Sequence, residues 1–220
     1  MMNSKSIVLS FDLDFTLIDN KEGIINSFNY ALKKHGFRPV APLKIEKMIG
    51  TPLNEMFQSI NMKIDPLTLA RSFREYYGKQ GIFQARLFPE VLNLLDSLRE
   101  TKHILGIVTS KKEEMAHKIT KILNIDHFFD YILGETKDRK LGKTDPKLKD
   151  LLLKKYPQSS FIIIGDHIND RKFAEMLNCP FIGVLTGHQS KIELEKGKKT
   201  KIVIIEKVTD ITRDLISSLI

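Results

Sequence analysis

The sequence predicts an α/β fold, a parallel sheet covered by helices and interrupted after its first strand by a small helical insertion. Short apolar runs rich in Ile, Val and Phe recur along the chain, and unbroken runs of that length mark strands buried on both faces. Helical patterns alternate with the later runs, as in crossover units that lay helices over a sheet. The interval between the first run and the second, from Ile18 to Ile104, holds helical patterns and no convincing strand. That is too much chain for a single crossover connection.

The first strand is Ile7–Phe11. Ile24, Ile25, Phe28, Ala31 and Leu32 then mark one apolar helix face that stops at Gly36, and further helices are expected over 43–48, 52–60 and 66–77. The chain returns to the core near Leu87, Phe88 and Pro89. This places the insertion at residues 18–85 and the core at 1–17 and 86–220. Beyond it the patterns predict a helix over 90–99, a strand over 104–108, helices over 111–123 and 146–155, a strand over 161–164, a helix over 171–177, and strands over 181–185 and 202–205. The basic stretch KGKKTK at 196–201 reads as a solvated turn, and neither a repeat nor a low-complexity segment interrupts the pattern.

Composition bounds the rest. A chain of 220 residues that is 42% hydrophobic fills a sizeable core without outside help. The 35 Lys and Arg against 27 Asp and Glu give a formal charge of +8, which suits anionic ligands without choosing among phosphate esters, nucleic acid and acidic lipid. A single cysteine, Cys179, excludes an internal disulfide and reads as a small buried packing residue in a reducing compartment. The N-terminal apolar run is broken by Asp12 and Asp14, unlike a secretory signal, and no apolar stretch has the length that spans a bilayer. The expectation is a cytoplasmic protein, monomeric or homodimeric.

In open parallel sheets ligands bind beyond the carboxyl ends of the strands, so the residues just after each apolar run carry the most information. After the first come Asp12, Asp14 and Thr16; after the second, Thr109 and Ser110; after the third, Asp166, with Asp170 four residues on in GDHIND. Each alone reads as a turn or helix-cap residue. Capping needs one acceptor per helix, however, and does not gather several carboxylates at one edge of a sheet. Clustered carboxylates repel one another, and a hard divalent cation such as Mg²⁺ with oxygen ligands relieves the repulsion. Mg²⁺ held by a few carboxylates leaves coordination open for water and phosphate oxygens, which makes phosphoryl transfer the natural chemistry. A cation to balance the transferring group is offered by Lys137, Arg139, Lys140 and Lys143. Asp145-Pro146 reads as an N-cap followed by a first-turn proline, so Lys143 stands just before a helix and is favoured.

DLDFTL, the strand ending in VTS, the lysine of GKTDP and GDHIND resemble, in order and spacing, the four motifs of the haloacid dehalogenase (HAD) superfamily and its phosphoglycolate-phosphatase-like branch. ALKKHGF and MIGTPL resemble the start of that branch's helical cap, and GVLTGHQS its segment after the last motif. The resemblance implies a Rossmann-like core with an inserted cap and a Mg²⁺-dependent phosphatase of small phosphorylated metabolites. It makes Asp12 the nucleophile, Asp14 the general acid and base, Thr109 and Ser110 the phosphoryl ligands, and Lys143 the balancing cation. Asp12, Asp166 and the main-chain oxygen of Asp14 would bind Mg²⁺, with Asp170 supporting the metal shell and Thr16 ordering the first loop. Two departures stand out. Phe15 occupies a place where the family usually has Gly, which calls for a non-glycine conformation, and the third motif reads Lys143-Thr144-Asp145-Pro146 instead of Lys-Pro. Cap contacts for specificity are expected among Arg71, Arg74, Lys79 and Arg86.

Two other readings compete. A sugar phosphomutase would use the same aspartates, but that branch tends to carry arginine three residues after the cap glycine, where Leu53 follows Gly50 here. A catalytically inactive nucleic-acid-binding protein would draw on the positive charge, yet the basic residues are scattered and show no aromatic interleaving. Neither a nucleic-acid partner nor a membrane is expected, and Asp14 argues against a metal-free dehalogenase.

Overall fold

The computed structural model describes residues 6–60, 63–101, 103–139 and 142–220. In chain order its elements are β1 (Ile7–Phe11), β2 (Ile18–Asp19), α1 (Lys21–Lys34), α2 (Pro42–Glu46), α3 (Leu53–Ser59), α4 (Pro66–Lys79), β3 (Arg86–Leu87), α5 (Val91–Glu100) and β4 (Ile104–Lys112). They continue with α6 (Glu113–Ile122), β5 (Tyr131–Glu135), α7 (Pro146–Lys155), β6 (Ser160–Gly165), α8 (Ile168–Leu177), β7 (Phe181–Val184), α9 (Lys191–Glu195), β8 (Ile202–Ile205) and α10 (Arg213–Leu219). Two compact units result, one built from the chain up to Leu17 and from Leu87 onward, the other from Ile18–Arg86.

The first unit is a six-stranded sheet in the order β5-β4-β1-β6-β7-β8 with every pair parallel. Its apolar runs are buried on both faces, with Val8, Leu9, Phe11, Leu105, Ile107, Ile162, Ile164, Phe181 and Ile182 almost wholly removed from water. Covering helices present apolar residues at helical spacing; α5 buries Val91, Leu94, Leu95 and Leu98. Asp145 caps α7 by accepting from the Lys147 N–H at 3.0 Å, with Pro146 in the first turn as the sequence predicts. The stretch after α9 is the exposed turn expected there, with Gly197 at φ +68°.

The second unit is helical. α1 buries Ile24, Phe28, Ala31 and Leu32, while Ile25, expected on the same face, is only half-buried; Gly23 and Ser27 complete the packed stripe. Gly23 has to be glycine, because a Cβ there would stand 2.1 Å from the carbonyl oxygen of Gly81. Phe28 stacks on Phe57 of α3 at 4.2 Å between ring centres, and Phe73 of α4 stacks on Tyr77 at 5.6 Å. α1 ends as the sequence predicts, with Gly36 in the left-handed region at φ +78°. A short pair, β2 with β3, lies where the chain enters and leaves.

Several expectations need correction. β5 was not foreseen: it is an edge strand whose ring of Tyr131 lies over Gly106, where a Cβ would sit 1.9 Å from the ring carbon Cζ. β4 runs four residues past 108, so α6 begins at Glu113 rather than Lys111 and VTS does not cap it. α8 starts at Ile168 rather than Arg171, because His167 and Asp170 close a capping box there. Among the described residues no helix is long and apolar enough to cross a membrane.

Candidate active site

β1 lies at the centre of the sheet between β4 and β6, so the carboxyl ends of three neighbouring strands bring Asp12, Thr109 and Asp166 to one edge. The main chain fixes this arrangement, since the Asp12 N–H donates to the Ile164 carbonyl at 2.8 Å. α8 adds Asp170, whose Oδ2 accepts the His167 N–H at 3.0 Å. Its carboxylate packs against Gly165, where any Cβ would come 2.2 Å from the Asp170 Cγ. Lys143 reaches in from a 3-10 turn, Gly142–Thr144. Its Nζ lies 2.6 Å from Asp12 Oδ1 and 2.5 Å from Asp170 Oδ1, and its side chain is only 3% exposed.

The electrostatics of this inner set are those of crowded carboxylates in a poorly solvated place. Burial pushes the Asp12 carboxyl up to about 6 against the pull of Lys143, and Asp170 adds to the push. Burial also raises Asp166 well above the usual carboxylate range, reinforced by Asp12 and Asp170, and raises Asp170 itself against Lys143. Burial alone would lower Lys143, but Asp12 and Asp170 outweigh it and hold its pKa above the ordinary lysine value. Burial, aided by Lys143, lowers the His167 imidazole to about 4.

A divalent cation fits this donor set. One carboxylate oxygen from each of Asp12, Asp166 and Asp170 lies within 4.8 Å of the others. With all three carboxylates ionised against one ammonium the set carries two negative charges, which a divalent cation balances, and the donors are all hard oxygens, as Mg²⁺ requires. Asp12 Oδ1 is buried and, apart from its ion pair, has no hydrogen-bond partner among the described residues.

The remaining candidates are placed around this centre. Asp14 does not join the carboxylate group; its Oδ2 lies 3.1 Å from Lys111 Nζ. Thr109 is buried and accepts the Lys111 N–H at 3.2 Å, while Ser110 is half-buried beside it. Thr16 donates to Asp166 Oδ1 at 3.3 Å. Arg139 is drawn away to Glu113 and the Gly134 carbonyl, Lys137 is exposed, and Lys140 lies outside the described residues. Of the expected specificity residues, Arg71, Lys79 and Arg86 are exposed and Arg74 half-buried in the helical unit.

Phe15 corrects the expectation of a non-glycine conformation, for it adopts φ +62°, the left-handed region that glycine favours. Two contacts hold it there: Thr186 Oγ1 donates to the Phe15 carbonyl at 2.5 Å, and His188 meets the Phe15 ring edge-on at 5.0 Å. The sequence reading gave no role to Lys111, Thr186 or Gly187. Gly187 faces Asp166, with space for no Cβ, since one would lie 2.0 Å from Asp166 Oδ2. The sequence signal for Lys111 was position, two residues after Thr109, and for Thr186 and Gly187 it was the stretch GVLTGHQS, which resembles the family's segment after the last motif.

The family model of the haloacid dehalogenase-like hydrolases matches residues 9–184. A phosphoglycolate phosphatase of Aquifex aeolicus is 30% identical over 161 residues, covering 72% of this chain and 75% of that protein. A 5'-nucleotidase of Pseudomonas aeruginosa is 29% identical over 197 residues, covering 86% and 87%. A solved haloacid dehalogenase-like family hydrolase from Streptococcus pneumoniae superposes with a TM-score of 0.80 at 29% identity, over 90% of this chain and 93% of the other. With four motif segments meeting at one sheet edge and the matched model spanning most of the length, this chain belongs to the haloacid dehalogenase-like hydrolases, as a phosphatase of the phosphoglycolate-phosphatase-like branch.

Proposed function

We propose that this phosphatase hydrolyses a small phosphomonoester with the help of Mg²⁺, through a phosphoryl group carried on Asp12. The observation that carries the reading is the meeting of Asp12, Asp166, Asp170 and Lys143 in a buried cluster two charges short of neutrality. Asp12, Asp166 and the main-chain oxygen of Asp14 would hold the metal, with Asp170 supporting them. Bound there, the cation supplies charge stabilisation for the phosphoryl oxygens.

Asp12 presents a carboxylate oxygen to phosphorus, and the bond from phosphorus to the ester oxygen breaks as the new one forms. Asp14 gives its proton to the departing oxygen, so the alcohol leaves neutral. In the second half Asp14 takes a proton from water, the water oxygen bonds to phosphorus, and the bond to Asp12 breaks to release phosphate. Thr109 and Ser110 hold phosphoryl oxygens, and Lys143 balances charge that Asp12 shares with the transferring group. Thr16 orients Asp166.

The relatives act, by name, on phosphoglycolate and on 5'-nucleotides, which sets the starting panel. Phosphate release is measured from phosphoglycolate, pyrophosphate, nucleoside monophosphates and sugar phosphates, with Mg²⁺ and with chelator. The expected outcome is Mg²⁺-dependent release from at least one of them. Isomer formation from a hexose 1-phosphate with a bisphosphate activator, without free phosphate, would establish the mutase instead.

A further inference from the structure

We propose that Thr186 is a positioning residue of the phosphoryl-transfer site: by holding Phe15 in the left-handed conformation it aims Asp14, and so does in this chain what a glycine at 15 would do unaided. The inference rests on the phosphatase reading and assigns a further residue to that same site.

The loop that follows β7 touches both halves of the carboxylate cluster. Thr186 Oγ1 donates to the Phe15 carbonyl at 2.5 Å, and Gly187 packs against the Asp166 carboxylate. The His188 ring then meets the Phe15 ring at 5.0 Å, and Gln189 Oε1 accepts the Ile168 N–H at 2.5 Å. Four consecutive residues thus alternate between the segment after β1 and the segment after β6. In the sheet β7 is two places from β1, with β6 between them. Thr186 therefore reaches across the end of β6 to hold a loop that its own strand never meets.

That loop needs holding. Left-handed φ is unfavourable for a residue with a Cβ, and for a bulky one it persists only where neighbours impose it. Phe15 is 4% exposed and stands at φ +62°. This torsion sets the direction of the Asp14–Phe15 peptide relative to the Phe15 carbonyl. Were Phe15 to relax to the ordinary negative φ, the main-chain oxygen of Asp14 that would hold the metal, and the carboxyl that serves the leaving oxygen, would turn with it. The hydroxyl of Thr186 opposes that turn at the Phe15 carbonyl, while the Leu17 N–H donates to the Leu13 carbonyl at 3.0 Å and closes the loop around it.

A glycine needs no such partner, since it adopts left-handed φ freely. The hydroxyl and the phenylalanine are therefore coupled, and the first matters because the second has a side chain. The ring contact with His188 places the side chain but gives the carbonyl no direction.

The test is a double-mutant cycle on the full chain, with wild type, Thr186→Val, Phe15→Gly and the pair. Valine has nearly the shape of threonine without the hydroxyl. One readout is kcat for phosphate release from the best substrate of the panel with saturating Mg²⁺. The other is Mn²⁺ affinity without substrate, from the electron paramagnetic resonance signal of the free ion. With Phe15 present, Thr186→Val lowers kcat and Mn²⁺ affinity each by about 10- to 100-fold, the scale of disturbed support for a metal ligand. With Phe15→Gly, the same substitution changes them by about twofold at most, within the scatter of mutations that do not interact. Thr186→Ser, which keeps the donor, retains most of both. Equal losses in the two backgrounds, or no loss in either, overturn the proposal. If Phe15→Gly does not fold, the pair Thr186→Val and Thr186→Ser decides, and equal behaviour of the two overturns it. Absence of phosphate release from every ester in the wild type overturns the phosphatase reading itself, while the Mn²⁺ readout still reports the positioning of Asp14. A wild type that neither binds Mn²⁺ nor releases phosphate overturns both.

Discussion

Replacing Gly187 by alanine should disable the metal site without disturbing the fold. Gly187 is not among the glycines at positive φ, so its backbone accepts alanine and the substitution tests one contact. The added Cβ would lie 2.0 Å from Asp166 Oδ2 and 2.7 Å from its Cγ, whereas ordinary contact begins at 3.4 Å. The carboxylate oxygen must therefore retreat by about 1.4 Å, the gap between those distances. Asp166 is 3% exposed and its other oxygen takes the Thr16 hydroxyl, so little free space receives it. A 1 Å misplacement of a reacting constellation lowers rates by roughly 10²-fold, and disturbed support of a metal ligand lowers metal affinity by about 10- to 100-fold. Phosphate release as a function of Mg²⁺ concentration reads both effects, and thermal melting followed by circular dichroism checks the fold. A variant with wild-type kcat and an unchanged Mg²⁺ midpoint would refute the assignment of Asp166 to the metal.

Asp12→Asn should keep the fold and lower turnover by roughly 10³-fold or more, because an amide cannot attack phosphorus; acid-quenched protein should trap phosphoryl label in the wild type and none in the variant. Cys179, whose thiol burial pushes up to about 12, should resist a thiol reagent at pH 8 and react fully in denaturant. Its folded pKa exceeds the unfolded value, so the stability it contributes is present below about 9 and is lost as pH rises toward 12, which alkaline unfolding curves with Cys179→Ser as reference would register. Phe28→Ala removes a fully buried ring stacked on Phe57 and should destabilise the helical unit by about 3–5 kcal/mol, read as earlier loss of hydrogen-exchange protection in α1 and α4 than in the sheet.

The sheet was legible because its strands are buried on both faces, which compresses them into short unbroken apolar runs such as IVLSF and FIII. β5 escaped because its apolar part is only Tyr131–Leu133, parted from Phe128 and Phe129 by the single polar residue Asp130. Asp12, Thr109 and Asp166 stood out as polar residues next to those runs, Lys143 as the lysine just before the Asp145-Pro146 helix start, and the structure brings them to one edge. Lys111 did not, since a lysine in SKK reads as a solvated side chain until the bend of β4 is known. Gly187 has no chemistry to notice; its contribution is the space it leaves for Asp166. Phe15 illustrates a third kind of miss, a residue whose conformation is imposed by partners such as Thr186, which lie far along the chain.

The central place of β1 has a consequence for how the molecule is made. Val8 pairs with Ile104 on one side and Phe161 on the other, so the strand that leads into Asp12 is made before both of its neighbours and gains β6 after β4. At 5–20 residues per second, roughly 8–30 s pass between the appearance of Val8 and that of Phe161. During that interval the helices of Ile18–Arg86, whose contacts are local, can form ahead of the sheet. Asp12 is thereby kept apart from Asp166 and Asp170 until the chain beyond β6 has been made, so the charge conflict cannot arise early in synthesis.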